Sequence, residues 1–200
     1  TRLLLELGGK GASIIFDDAD LDAAVSGTGS TWAFHSGQIC TAPTRVLAQR
    51  GIYDQLVEGL KAAAGHFKVG DPLARDTVLG PVITGAHRDR VEGYIASGRE
   101  EGGTIVVGGD RPDLGSGFYV TPTLIADAKQ GMRVVQEEIF GPVVVVVPFD
   151  DAEEAVPLAN STDFGLIMAG AALAAVPIII IFLIFQKYFT KGIAMGAVKG

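Results

Sequence analysis

The chain has 200 residues, 48% of them hydrophobic, and sets 23 acids against 16 lysines and arginines for a formal net charge of −7. That length bounds it to one or two domains with room for a buried core, and the acidic balance argues against nucleic acid, whose phosphates reward clustered Lys and Arg. A single cysteine, Cys40, excludes an internal disulfide.

No signal-peptide pattern opens the chain, and Thr1-Arg2 reads as an interior point of a longer protein. Ala12 to Phe16 reads as a strand, and Ala19 to Phe34 as a helix with Asp17 or Asp18 available as its cap. Val46 to Ala48 is strand-like. Ile52 to Phe67 places Ile52, Leu56, Val57, Leu60, Ala63 and Ala64 at helical spacing. Ala86 to Gly98 reads as a further helix. Thr104 to Val107 reads as a strand inside a hairpin-like stretch bounded by Gly102-Gly103 and Gly108-Gly109. Val143 to Val147 is a strand buried on both faces, and Asp151 to Asn160 a helix with acids suited to its first turn. Pro157 sits awkwardly in that helix, at a cost of up to ~3 kcal/mol. Alternating strands and helices with continuous apolar runs predict an α/β fold with a mostly parallel sheet.

Chemistry concentrates in three segments. Cys40 lies in Ser36-Gly37-Gln38-Ile39-Cys40-Thr41-Ala42-Pro43, a loop-like setting. A lone free cysteine is either a small buried hydrophobe or a reactive thiol, and the segment alone leaves both open. In Leu5-Glu6-Leu7-Gly8-Gly9-Lys10 a carboxylate stands between two leucines, a setting that raises its pKa as a general base needs. The paired glycines there let the backbone pass close to something bulky. The third segment is Glu137-Glu138-Ile139-Phe140-Gly141-Pro142-Val143.

In this order, the three segments resemble the aldehyde dehydrogenase superfamily, from about Thr1 to Gly165. Gly80-Pro81-Val82-Ile83 and Tyr119-Val120-Thr121-Pro122-Thr123-Leu124 extend the likeness. The resemblance implies an incomplete aldehyde-dehydrogenase-like catalytic domain over residues 1–165, acting on a small-molecule aldehyde with NAD or NADP. It makes Cys40 the nucleophile and Glu6 the base for the thiol, a hydrolytic water, or both. It puts Gly8 and Gly9 close to the nicotinamide, Glu138 on the neighbouring ribose and Phe140 beside the ring. One carboxylate suits two ribose hydroxyls, since it only accepts. The resemblance also implies homo-oligomers for the family at large and a cytoplasmic location for this segment. The family's second oxyanion donor, an asparagine, and its dinucleotide-binding domain both belong before Thr1.

Other readings carry less. Lys10 stands as a structural cation rather than a catalytic one. His35 precedes Cys40 by five residues and invites a Cys–His dyad, but the resemblance gives the base to Glu6. Gly27-Thr28-Gly29 lies inside a helical segment, not at a strand-to-helix turn, so it is no phosphate loop. The scattered His35, His66 and His87 show no metal-ligand spacing, and no metal is expected.

The character of the chain changes after Phe164. Leu166 to Gly200 holds three lysines and no acid, and Phe164 to Gln186 holds no charge at all. A bilayer span needs about 20 mostly apolar residues, and Leu166 to Phe185 supply them. The tail, with its Ala197-Val198-Lys199-Gly200 ending, resembles the C-terminus of sugar-type ABC transporter permeases. Residues 166–200 are therefore expected to form a hydrophobic tail with one transmembrane-like helix and membrane association through 166–185. Lysines beyond the span would place its end in the cytoplasm and the acidic segment outside, which conflicts with an enzyme that needs a reduced thiol. A join between unrelated sequences near Phe164 to Met168 is the expectation, and a membrane-anchored, permease-derived product without catalysis is the alternative to an oxidoreductase.

Overall fold

The computed structural model describes residues 8–162 and the single positions 180, 183 and 184. The chain divides into two units, Thr1–Thr162 and Asp163–Gly200, and the sheet and its helices belong to the first. In chain order the first unit runs β1 (Ala12–Ile15), α1 (Leu21–Ala33), β2 (Arg45–Gln49), α2 (Arg50–Ala64) and α3 (Gly85–Glu100). It continues with β3 (Thr104–Val107), β4 (Thr123–Ala126), the short α4 (Arg133–Gln136), β5 (Val143–Phe149) and α5 (Ala152–Asn160).

The five strands form one sheet in the order β1-β2-β5-β4-β3. β2 pairs in parallel with β1 and β5, with Leu47 level with both Ile14 and Val147. β4 is also parallel to β5, and only the edge strand β3 is antiparallel, against β4. The expected mostly parallel α/β sheet is therefore present.

β5 explains the unbroken valine run. Val143, Val145, Val147 and Phe149 face a core shared with Val91, Tyr94 and Ile95 of α3 and Ala155 of α5. Val144 and Val146 face the opposite core, with Trp32 of α1, Leu56 and Leu60 of α2, and Leu124 of β4. Side chains alternate across a strand, so a strand covered on both sides must be apolar at every position. Each such side chain contributes about 1.5–3 kcal/mol when fully buried.

Several local expectations need correction. Asp20, not Asp17 or Asp18, caps α1, accepting from the Ala23 N–H at 3.0 Å. A cap carboxylate reaches the N–H three residues on, and only Asp20 stands at that offset from a helix starting at Leu21. The Gly102–Gly109 stretch does not fold back on itself; β3 within it pairs with β4, which composition did not announce. Pro157 does lie within α5. It removes one ladder bond, but the helix end is held from outside. Arg45 of β2 donates to Leu158 O at 2.8 Å through Nη1 and to Ala159 O at 2.7 Å through Nη2.

No helix among the described residues is long and apolar enough to cross a membrane. The expected span 166–185 lies outside the described residues except for the helical positions 180, 183 and 184.

Candidate active site

At the end of α1 the chain turns sharply. His35 (φ 48), Ser36 (φ 55) and Gly37 (φ 72) are successively left-handed in the short 3-10 turn Phe34–Gly37. Two of these are not glycine, and each such residue costs roughly 1–2 kcal/mol. The turn persists because its neighbours hold it. The Ser36 hydroxyl donates to Gly80 O at 2.9 Å, the Gln38 amide donates to His35 O at 3.0 Å, and Gln38 Oε1 accepts from the Ile83 N–H at 3.1 Å. The result delivers Cys40 to the surface, exposed. Of the two readings of the lone cysteine, the buried hydrophobe is thereby excluded.

A cleft of about 700 Å3 opens beside it. Gly8, Cys40, Glu138 and Phe140 all line this cleft, so three segments far apart in sequence meet at one place. Gly9 lies behind them, and a Cβ added there would stand 3.3 Å from the Cys40 carbonyl oxygen. Glu6 lies outside the described residues.

The Glu138–Phe140 loop is anchored by what flanks and interrupts it. Ile139 is buried in the core beneath α3, while Phe140 (φ 58) turns outward to the cleft. Trp32, itself fully buried, donates from Nε1 to Pro142 O at 2.8 Å. Glu138 is half-buried, with its Oε1 withdrawn from solvent.

Among the described residues five more complete the wall, of which His87 and Arg90 were not anticipated. His35, Gln38 and Ile39 come with the Cys40 turn, and His87 and Arg90 come from α3. In the sequence His87 is one scattered histidine, and no local pattern marks it, because its position depends on how α3 docks against the loop. In its Nε2–H tautomer the His87 ring donates to Phe140 O at 2.6 Å.

Lys10 is 3% exposed, and its Nζ finds no hydrogen-bond partner among the described residues. Burial, followed by the charge of Arg45, pulls its pKa from 10.5 down to about 7, with Glu138 acting in the opposite sense. The structural reading of Lys10 fits this enclosure. Among the described residues no group of three His, Cys or acidic side chains could hold a metal ion.

Comparison with known proteins gives a consistent result. The model of the "Aldehyde dehydrogenase family" matches residues 1–172. An aldehyde dehydrogenase from Aspergillus niger is 44% identical over 165 residues, covering 82% of this chain and 33% of that protein. A betaine aldehyde dehydrogenase from Rhizobium leguminosarum bv. trifolii (strain WSM2304) is 44% identical over 167 residues, covering 82% of this chain and 34% of that protein. The crystal structure of a betaine aldehyde dehydrogenase from Staphylococcus aureus in complex with NAD+ superimposes with a TM-score of 0.76 at 44% identity. It covers 78% of this chain and 32% of that one. The chain thus spans about a third of the length of the curated relatives it matches. The family match also passes the expected boundary at 165 and the suspected join at Phe164 to Met168. A permease-like tail finds no support in these matches.

Proposed function

The chain belongs to the aldehyde dehydrogenase family, and on that premise we propose that its cleft is the part of an oxidoreductase site where an aldehyde becomes a carboxylic acid. Cys40, as thiolate, adds to the aldehyde carbonyl and forms a carbon–sulfur bond, giving a thiohemiacetal. The Cys40 N–H lies beside that carbon and helps hold the oxyanion. NAD or NADP, when bound, accepts the hydride that leaves this carbon. A thioester then remains on Cys40. Glu6 takes a proton from water, the resulting hydroxide attacks the thioester carbon, and the carbon–sulfur bond breaks to release the acid and the thiolate.

The residues present fit the nicotinamide end of such a cofactor. Glu138 offers a carboxylate to two ribose hydroxyls, and Phe140 presents an aromatic ring to the same cleft. Gly8 keeps one wall free of a side chain. The observation that carries the reading is the meeting of Gly8, Cys40, Glu138 and Phe140 on one cleft wall.

The catalytic segment, expected over 1–165, extends in this reading through the family match to residue 172, and the remainder of the sequence is a hydrophobic tail. In this reading the 200 residues carry the nucleophile and the nicotinamide end, and no NAD reduction is expected from them alone. Most affinity for a dinucleotide comes from a helix N-terminus beneath the pyrophosphate, and Gly27-Thr28-Gly29 lies inside α1 rather than at such a turn.

Alkylation of Cys40 tests the proposal. Iodoacetamide should label this one residue. Glu6→Gln should slow labelling, and millimolar nicotinamide mononucleotide should protect the thiol in the original chain but less in Glu138→Gln. Labelling that ignores both the nucleotide and Glu6→Gln sinks the assignment. A panel including betaine aldehyde and aliphatic and aromatic aldehydes, followed by NADH absorbance, checks the absence of turnover.

A further inference from the structure

The contacts between α3 and the Glu138–Phe140 loop run in register. His87 Nε2 meets Phe140 O at 2.6 Å, and Arg90 Nη2 reaches Glu138 O at a longer 3.4 Å. One turn further on, the Tyr94 hydroxyl donates to Glu137 Oε2 at 2.7 Å. Positions 87, 90 and 94 share one face of a helix, so the face ascends as the loop descends. Val91 closes the row beneath, because a Cβ on Gly141 would stand 2.7 Å from its Cγ2.

We propose that this face of α3 positions the Glu138–Phe140 loop, with His87 as a positioning residue that holds Phe140 in its left-handed conformation. The proposal rests on the reading above for the meaning of that loop, but its structural content stands alone. Phe140 is a bulky residue at φ 58, a conformation that persists only where surroundings over-determine it. Ile139 fixes the residue before it by burial, and Trp32 fixes Pro142 after it. Neither side chain hydrogen-bonds the Phe140 carbonyl. His87 does, and its ring also meets the Phe140 ring edge-on, with centroids 6.0 Å apart. The Thr84 hydroxyl accepts from the His87 N–H at 3.1 Å and fixes where the imidazole starts.

Hydrogen exchange on the whole 200-residue chain tests this without any cofactor. His87→Phe keeps a ring but has no donor, and should speed exchange over 138–142 roughly tenfold while the β5 amides keep their protection. His87→Gln supplies an N–H at similar reach and should restore slow exchange. In a Phe140→Gly background, where a left-handed backbone is free of strain, the effect of His87→Phe should shrink to about twofold or less. Unchanged loop exchange in His87→Phe, or His87→Gln behaving like His87→Phe, overturns the positioning role. If His87→Phe unfolds the whole chain, the Phe140→Gly background decides, since an equal loss there also overturns the proposal. Nicotinamide mononucleotide protection of Cys40 separates the two claims. Protection with unchanged loop exchange removes the positioning role alone, and a loosened loop with no protection in the original chain removes the functional reading alone.

Discussion

Gly37 and Gly141 lie backbone against backbone: a Cβ on Gly37 would stand 2.1 Å from the Gly141 carbonyl oxygen. The turn that presents Cys40 and the loop that carries Glu138 and Phe140 are thus closed on each other at two residues without side chains. Gly37 is also left-handed, at φ 72. Gly37→Ala therefore meets both a clash and a backbone penalty, and should cost about 3 kcal/mol or more. Gly27→Ala is the contrast, since Gly27 lies inside α1 with open space where its Cβ would be. It should stabilise by up to about 1 kcal/mol. Urea unfolding of the two variants checks both signs.

Lys10 predicts a pH dependence of stability. Its pKa falls from 10.5 to about 7 on folding, so between those values the unfolded chain binds more protons. Stability should then rise with pH from about 7 to 10.5, by up to about 5 kcal/mol from this one group. Lys10→Met keeps the apolar stem and removes the amine. Relative to the original chain it should be more stable at pH 7 and below, with the advantage fading by pH 10.5. A difference curve that is flat across this window shows that the amine is not desolvated as described.

What the sequence makes legible follows from which signals are local. The valine run of β5, the helical spacing in α2 and the three site segments each carry their information within a few residues. β4 does not. Thr123–Ala126 has four residues, all buried, directly after Pro122 and before Asp127 (φ 54), and neither its length nor its flanks distinguish it from loop. His87 and Arg90 were illegible as cleft residues for another reason. Their spacing marks only a helix face, and what that face meets is set by a loop some fifty residues later. The exposure of Cys40 is a third case: its segment marks the residue, but the left-handed turn at His35 and Ser36 that precedes it is not announced by composition.

Tyr94 and Glu137 predict an acid-sensitive contact. The hydrogen bond from Arg133 and then that from Tyr94 hold the Glu137 carboxyl below its usual 4.5. A depressed carboxylate stabilises above its unfolded pKa and loses that contribution as pH falls through the folded value. Tyr94→Phe leaves the buried ring and removes the hydroxyl. It should cost about 1 kcal/mol at neutral pH and progressively less below pH 4.5. Glu137 is partly exposed, so solvent screening keeps the effect small. Thermal unfolding of both chains from about pH 7 to about pH 3 measures the convergence, and a constant gap would show that the hydroxyl acts through its other partner, Arg90 at 3.3 Å, rather than through the carboxylate.

Arg45 gives the sharpest stability test away from the cleft. It is 1% exposed, and its guanidinium reaches three carbonyls: Leu158 and Ala159 at the end of α5, and Lys10 at 3.2 Å beside the Gly8-Gly9 turn. Burial lowers its pKa, yet a cation is favoured there because the last carbonyls of a helix carry its negative dipole end. The planar fork is what lets one side chain span these oxygens, and an ammonium cannot reproduce it. Arg45→Lys keeps the charge but should lose at least one of the three bonds, at a cost of about 2–4 kcal/mol. The loss should be local first. Amides over 156–161 should exchange faster under native conditions, while those of β2 and β5 keep their protection. If Arg45→Lys matches the original chain in urea and in exchange, charge alone holds α5 in place and the three-carbonyl geometry is dispensable.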